Sequence, residues 1–138
     1  MIDYQYIENQ ELNNSDKISL WLNNVIEEEG MQTGAITYIF CQDDYLLEKN
    51  IQFLNHKTLT DVITFDYCKD KIINGDILIS TERVKENSKI YKVDYLAELY
   101  RVIVHGLLHL LGYKDKNKKY AKTMREKENY YLNKFINS

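Results

Sequence analysis

The sequence YLAELYRVIVHGLLHLLG, residues 95–112, determines the architecture because it is a long, largely apolar helical segment that needs a surface to cover it. Asp94 precedes it as a helix N-cap residue and Gly112 is a typical helix stop, so the sequence predicts a helix over residues 94–111. We expect this helix to lie buried against a sheet. Two histidines, four residues apart, interrupt its apolar surface.

Strand-like alternation and helical periodicity predict further elements on both sides of this helix. We predict strands at residues 2–7, 35–41, 61–67 and 76–80, helices capped by Ser15 and Thr81, and helices over residues 43–54 and 117–135. The NGD sequence at residues 74–76 is expected to turn the chain between the last two strands. The first two strands enclose a helix and should be parallel, whereas the last two can form an antiparallel hairpin. The pattern predicts one α/β domain over residues 1–138, in which a mixed sheet of about four strands, mostly parallel with one antiparallel, packs with about five helices.

The composition and charge of the chain indicate which classes of protein it can belong to. The chain has 138 residues, 44% of them hydrophobic, and a net charge of −3, which gives it no general attraction for nucleic acid. The N-terminal stretch is acidic, and the uncharged run around the histidines is shorter than the roughly 20 residues of a membrane span. Cys41 and Cys68 form no CxxC pair and are expected to be buried free thiols. We therefore expect a soluble, cytoplasmic protein with no membrane partner.

The two histidines form a candidate metal site. His105 and His109 share one helix face, with β-carbons about 6 Å apart, and can reach one tetrahedral Zn²⁺. The pair alone is more typical of buried core histidines than of metal ligands. Asp115, however, completes an HxxxHxxxxxD pattern just beyond the helix end and can supply a third ligand, leaving one coordination position open as in catalytic sites. Gly106 is expected to leave room beside the ligand, and it replaces the general-base Glu of HExxH proteases, which disfavours that mechanism. The spacing predicts a hydrolytic site with one zinc ion per chain.

A basic segment follows this site. Residues 114–128 contain seven basic and three acidic residues, so the segment carries a local charge of +4. This is either a solvated helix face or a contact surface for RNA backbone, with Lys114, Lys118, Lys119 and Lys122 as the candidate RNA-binding residues. Glu128 interrupts a mostly apolar helix stripe and needs a partner, which is either the second nitrogen of a ligand histidine or a helix lysine.

Three blocks in order resemble the YbeY family of metal-dependent endoribonucleases. HGLLHLLGYKDK followed by MREKE resembles the family pattern H-G-x-L-H-L-x-G-Y-D-H with a later Met and Glu, while TLTDVITFDY resembles T-D-V-L-S-F and NGDILIS resembles G-D-I-x-I-S. Together the blocks lie within residues 50–128. The resemblance implies His105 and His109 as metal ligands, Asp115 in place of the family's third histidine, and some weight for Asp76 as a supporting residue beside Glu128.

The same resemblance implies an activity. It implies a cytoplasmic, single-strand-specific endoribonuclease that acts in maturation of the 16S rRNA 3′ end and in ribosome quality control, with the ribosomal small subunit and assembly factors as partners and no role on DNA. The family also has an Arg before its T-D-V block, where this chain has Leu54, so that function is missing or has moved, to His56 or Lys57. The catalytic base is unassigned. Two alternatives stay open: an RNA-binding assembly factor with a structural metal, and a metal-dependent peptidase.

Overall fold

The computed structural model describes residues 1–137, which form four strands and five helices. In chain order the elements are β1 (Ile2–Tyr6), α1 (Ser15–Glu28), β2 (Gln32–Cys41), α2 (Asp43–Leu54), β3 (Val62–Asp66), β4 (Ile72–Ser80), α3 (Thr81–Tyr91), α4 (Tyr95–Leu110) and α5 (Lys118–Ile136). The sheet order is β1-β2-β4-β3; β1 and β4 lie parallel to β2, and β3 lies antiparallel to β4. The predicted fold class, a mixed sheet with one antiparallel strand, is confirmed.

The turn predicted at residues 74–76 is wrong, because the NGD sequence lies inside β4. The chain turns earlier, where Asp70 adopts a left-handed φ of 56° and Lys69 and Ile72 exchange backbone hydrogen bonds. Asn74 and Gly75 serve strand pairing instead. The Asn74 Oδ1 atom accepts a hydrogen bond from the Ala35 backbone at 2.8 Å, and a β-carbon at Gly75 would meet a backbone oxygen of β3 at 2.6 Å.

Two helix caps also differ from the prediction by one residue. Helix α1 has Asn14 at its N-cap, with Ser15 as the first helical residue. Helix α3 is capped by Ser80, whose Oγ accepts a hydrogen bond from the Arg83 backbone at 3.1 Å, so Thr81 is again one position inside the helix. In both cases two polar residues in a row compete for the cap, and the backbone conformation decides between them.

Helix α4 lies against the sheet, as the sequence predicts. Ile103, Val104 and Leu107 are fully buried in the main core cluster. The expectation for Gly106 is wrong: a β-carbon there would lie 2.6 Å from Ile77 of β4, so this glycine lets the helix approach the sheet rather than leaving room beside a ligand. Close contact of α4 with β4 fixes the helix orientation and therefore the direction in which its histidines point.

The two cysteines differ in burial. Cys41 is buried, and burial raises the pKa of its thiol to about 12, whereas Cys68 is only half-buried and follows the end of β3. Both are free thiols. Within residues 1–137, every helix falls short of the length and apolarity that crossing a membrane requires.

Candidate metal centre

Three side chains converge at the C-terminal end of α4. His105 and His109 lie one helical turn apart, and Gly112, at φ 104°, ends the helix so that the following loop returns Asp115 toward them. The Nε2 atoms of the two histidines are 3.0 Å apart, and Asp115 Oδ2 lies 3.4 and 3.5 Å from them. Ligands about 2.0–2.1 Å from a tetrahedral zinc ion are separated by about 3.3–3.4 Å, so the three atoms have nearly the spacing of zinc ligands.

Hydrogen bonds on the far side of each ring fix which nitrogens point inward. His105 Nδ1 donates to Glu128 Oε2 at 2.5 Å, and His109 Nδ1 donates to the Tyr113 carbonyl at 3.1 Å. These partners assign the Nδ1–H tautomer to both neutral rings, which leaves a lone pair on each Nε2. When both rings are neutral, two imidazole lone pairs and a carboxylate oxygen therefore face one point. This donor set fits a divalent cation such as zinc.

The two histidines differ electrostatically. Burial favours the neutral ring of His105, but the hydrogen bond and charge of Glu128 outweigh burial and raise the pKa of His105. Burial and the neighbouring His105 lower the pKa of His109. The surroundings thus favour the protonated form of His105 and the neutral form of His109, and neutral imidazole is the form that binds metal.

Glu128 is the main support of His105. Glu128 is 4% exposed. Burial raises the pKa of its carboxyl, but its hydrogen bonds to His105 and Arg101 outweigh burial and lower the pKa, so Glu128 is held as a carboxylate. Arg101 Nη1 donates to Glu128 Oε1 at 2.9 Å, and Arg125 lies 3.6 Å away. Of the two partners predicted for this carboxylate, the histidine nitrogen is present, whereas the cations that pair with it are arginines and not a helix lysine.

A second carboxylate supports His109 indirectly. Glu29, at the end of α1, accepts hydrogen bonds from the hydroxyls of Tyr113 (2.6 Å) and Tyr131, and from Lys127 Nζ at 3.2 Å. These bonds hold the loop whose Tyr113 carbonyl binds His109 Nδ1. Sequence analysis missed Glu29 because it lies 84 residues from Tyr113, and no local pattern connects the two.

The structure does not bring Asp76 to the histidines. Successive side chains of a strand face opposite sides of the sheet, and Ile77 is the β4 residue that contacts α4, so Asp76 points to the other side, where it interacts with Tyr67. Asp61, just before β3, lies nearer. Burial raises the pKa of its carboxyl, an effect partly offset by the nearby charge of His105. The TLTDV block thus brings Asp61, and not Asp76, into the electrostatic surroundings of the site.

The basic segment begins beside the centre, in the loop after Asp115 and the first turns of α5. Lys114, Lys118, Lys119 and Lys122 are exposed, and none lies within 4.0 Å of a carboxylate among residues 1–137. Two other members of the segment are engaged: Lys127 pairs with Glu29, and Arg125 with Glu128. Among residues 1–137, the lysines of the segment that make no ion pair therefore lie in its first part, residues 114–122.

Comparison with known proteins gives consistent results. The family model described as Endoribonuclease YbeY matches residues 3–136. A protein named Endoribonuclease YbeY from Flavobacterium johnsoniae is 47% identical over 128 residues, covering 93% of this chain and 92% of that protein. A protein of the same name from Flavobacterium psychrophilum is 48% identical over 135 residues, covering 98% and 96%. Another, from Amoebophilus asiaticus, is 45% identical over 139 residues, covering 97% and 95%.

A solved structure is also similar. The solution structure of TM1509 from Thermotoga maritima aligns with a TM-score of 0.66 at 27% identity, covering 98% of this chain and 89% of that chain. The likeness extends over nearly the whole chain, so it includes the sheet, α4 and α5 together.

Proposed function

The chain belongs to the YbeY family of endoribonucleases, and on that premise we propose that it is a metal-dependent endoribonuclease that hydrolyses phosphodiester bonds in single-stranded RNA. The observation that carries the metal dependence is the convergence of two imidazole nitrogens and one carboxylate oxygen at 3.0–3.5 Å from one another. Following the family resemblance, we place the reaction in 16S rRNA 3′-end maturation and ribosome quality control in the cytoplasm. The ribosomal small subunit and its assembly factors are the proposed partners.

Each side chain of the centre has a separate task in this proposal. His105, His109 and Asp115 would hold one Zn²⁺, which would supply Lewis acidity for phosphodiester hydrolysis. Glu128 and the Tyr113 carbonyl fix the tautomer and orientation of the two rings, so that both Nε2 atoms stay available to the metal. Asp115 is partly exposed, and this side of the centre is open to an approaching RNA chain.

A chelation experiment separates a catalytic from a structural metal. Removing the metal with EDTA should abolish cleavage of a short single-stranded RNA while circular dichroism and the thermal unfolding midpoint change little, because the apolar core on α4 packs without the centre. Restoring zinc should restore cleavage. Unfolding on chelation would support the assembly-factor alternative, and cleavage that survives chelation would contradict metal dependence. Hydrolysis of unstructured peptides but not RNA would favour the peptidase.

The basic segment predicts a salt-dependent contribution to RNA binding. Replacing Lys118, Lys119 and Lys122 with glutamine should weaken RNA binding and reduce the slope of log K against log salt by up to about 2, at about 0.7 per phosphate contact of a single strand. The measurement is fluorescence anisotropy of a labelled oligonucleotide across a salt series. A matched control removes the same charge at Lys69, Lys71 and Lys85, in the β3–β4 turn and on α3. If the segment variant keeps the slope of the parent protein, as the control variant should, the segment is merely solvated.

A further inference from the structure

A cavity of about 280 Å³ adjoins the metal centre and shares His109 as part of its wall. Its other polar lining comes from the end of α2, the loop that follows and β3. The residues that supply it are Asn50, His56, Thr58, Thr60 and Thr64. Its volume lies just below the roughly 300–1,000 Å³ of small-molecule sites, so it has room for about one nucleotide.

Asn50 carries an unsatisfied polar atom at this cavity. The side chain is 2% exposed, and its Nδ2 donates to the Thr58 carbonyl at 3.0 Å. Its Oδ1 atom is buried and has no hydrogen-bond partner among residues 1–137. Because this oxygen is buried from solvent, it does not face a ligand directly, and the Asn50 side chain contributes to the cavity by holding Thr58 in its wall.

The same asparagine holds the loop that carries His56. The Asn50 carbonyl accepts a hydrogen bond from the His56 backbone at 3.2 Å, while the Asn50 side chain holds Thr58 on the other side of the histidine. Asn55, at φ 55°, ends α2 and turns the chain into this loop. His56 is therefore fixed at the cavity by its backbone on both sides, although its side chain is exposed.

We propose that this cavity binds the nucleotide next to the cleaved phosphodiester, and that the His56 imidazole contacts the RNA there; this inference rests on the proposed function. The wall has the chemistry that a nucleotide needs: threonine side chains at positions 58, 60 and 64 for polar edges, an imidazole N–H for a phosphate or ribose oxygen, and Leu54 and Val62 as apolar surface for a base or sugar. Because the cavity and the metal centre share His109, a nucleotide in the cavity places its neighbouring phosphodiester beside the metal ligands.

The test compares His56→Ala with Gln52→Ala, which removes an exposed side chain of α2 outside the cavity lining. In the zinc-loaded protein, His56→Ala should raise KM for a short single-stranded RNA about tenfold or more, as expected for loss of a hydrogen bond to a charged or polar group, with zinc content unchanged. Gln52→Ala should keep the parental KM. His56→Gln retains a side-chain N–H donor and should recover part of the loss.

A second measurement needs no cleavage. Adding adenosine 5′-monophosphate to the zinc-loaded protein should shift the imidazole NMR resonances of His56, and adding the RNA should replace this shift with the one that the RNA gives alone. A parental KM in His56→Ala, or His56 resonances that do not move, would overturn the proposal. If the parent protein cuts no RNA, the proposed function is overturned, and the titration alone decides whether the cavity binds a nucleotide.

Discussion

Replacing both His105 and His109 with alanine is expected to reduce bound zinc from one ion per chain to none measurable, and to abolish RNA cleavage with it. The two imidazoles supply two of the three ligand atoms, and the remaining Asp115 carboxylate is partly exposed to solvent. A single exposed carboxylate competes poorly with water for zinc, which prefers nitrogen and sulfur ligands together with carboxylate. Zinc content after equilibrium dialysis is the direct measurement, by elemental analysis against protein concentration.

This double variant should still fold, which makes the result interpretable. Glu128 loses His105 as a donor but keeps Arg101 at 2.9 Å, so no buried carboxylate is left unpaired. Circular dichroism and thermal unfolding check this point. The third histidine provides the matched control, because His56→Ala should keep one zinc per chain. One zinc per chain in the double variant would place the metal site elsewhere.

The fold could be predicted where local chemistry and tertiary packing agree. Helix α2 occupies residues 43–54 as the sequence predicts, and α4 lies buried on the sheet because its apolar face has no other surface large enough to cover it. Local reasoning failed at Asn74 and Gly75, which are common turn residues. Here Asn74 bonds across to β2, and the absence of a side chain at Gly75 permits close pairing with β3. Those contacts depend on strands that sequence spacing alone does not bring together.

The candidate site also has one part that the sequence predicts and another part that it does not. His105, His109 and Asp115 lie within 11 residues, so helix geometry and one glycine stop suffice to predict that they meet. Their supports come from distant elements: Glu29 ends α1, and Arg101 pairs with a residue of α5. Such pairings follow from helix packing, which no local pattern encodes.

The last prediction concerns Asp115, the residue in which this centre departs from the three-histidine pattern. Asp115→Ala should weaken zinc binding by well over tenfold, because it removes the third ligand atom and leaves two imidazoles. Asp115→His should keep the metal, since either residue type completes a three-ligand zinc set. Competition with a chromophoric chelator measures both affinities without recourse to activity.

The preference of the site for one metal over another tests the role of Asp115 more specifically than zinc affinity does. Carboxylate is a harder ligand than imidazole, so Mn²⁺ should compete with Zn²⁺ better in the parent than in Asp115→His.

The competing explanation is that Asp115 only pairs with a neighbouring lysine in solvent, an interaction worth about 0–1 kcal/mol. Its carboxylate lies 3.4 and 3.5 Å from the two histidine Nε2 atoms, and no lysine ammonium among residues 1–137 lies within 4.0 Å of it. If Asp115→Ala binds zinc as tightly as the parent, the carboxylate is not a ligand and the centre holds its metal through the two histidines alone.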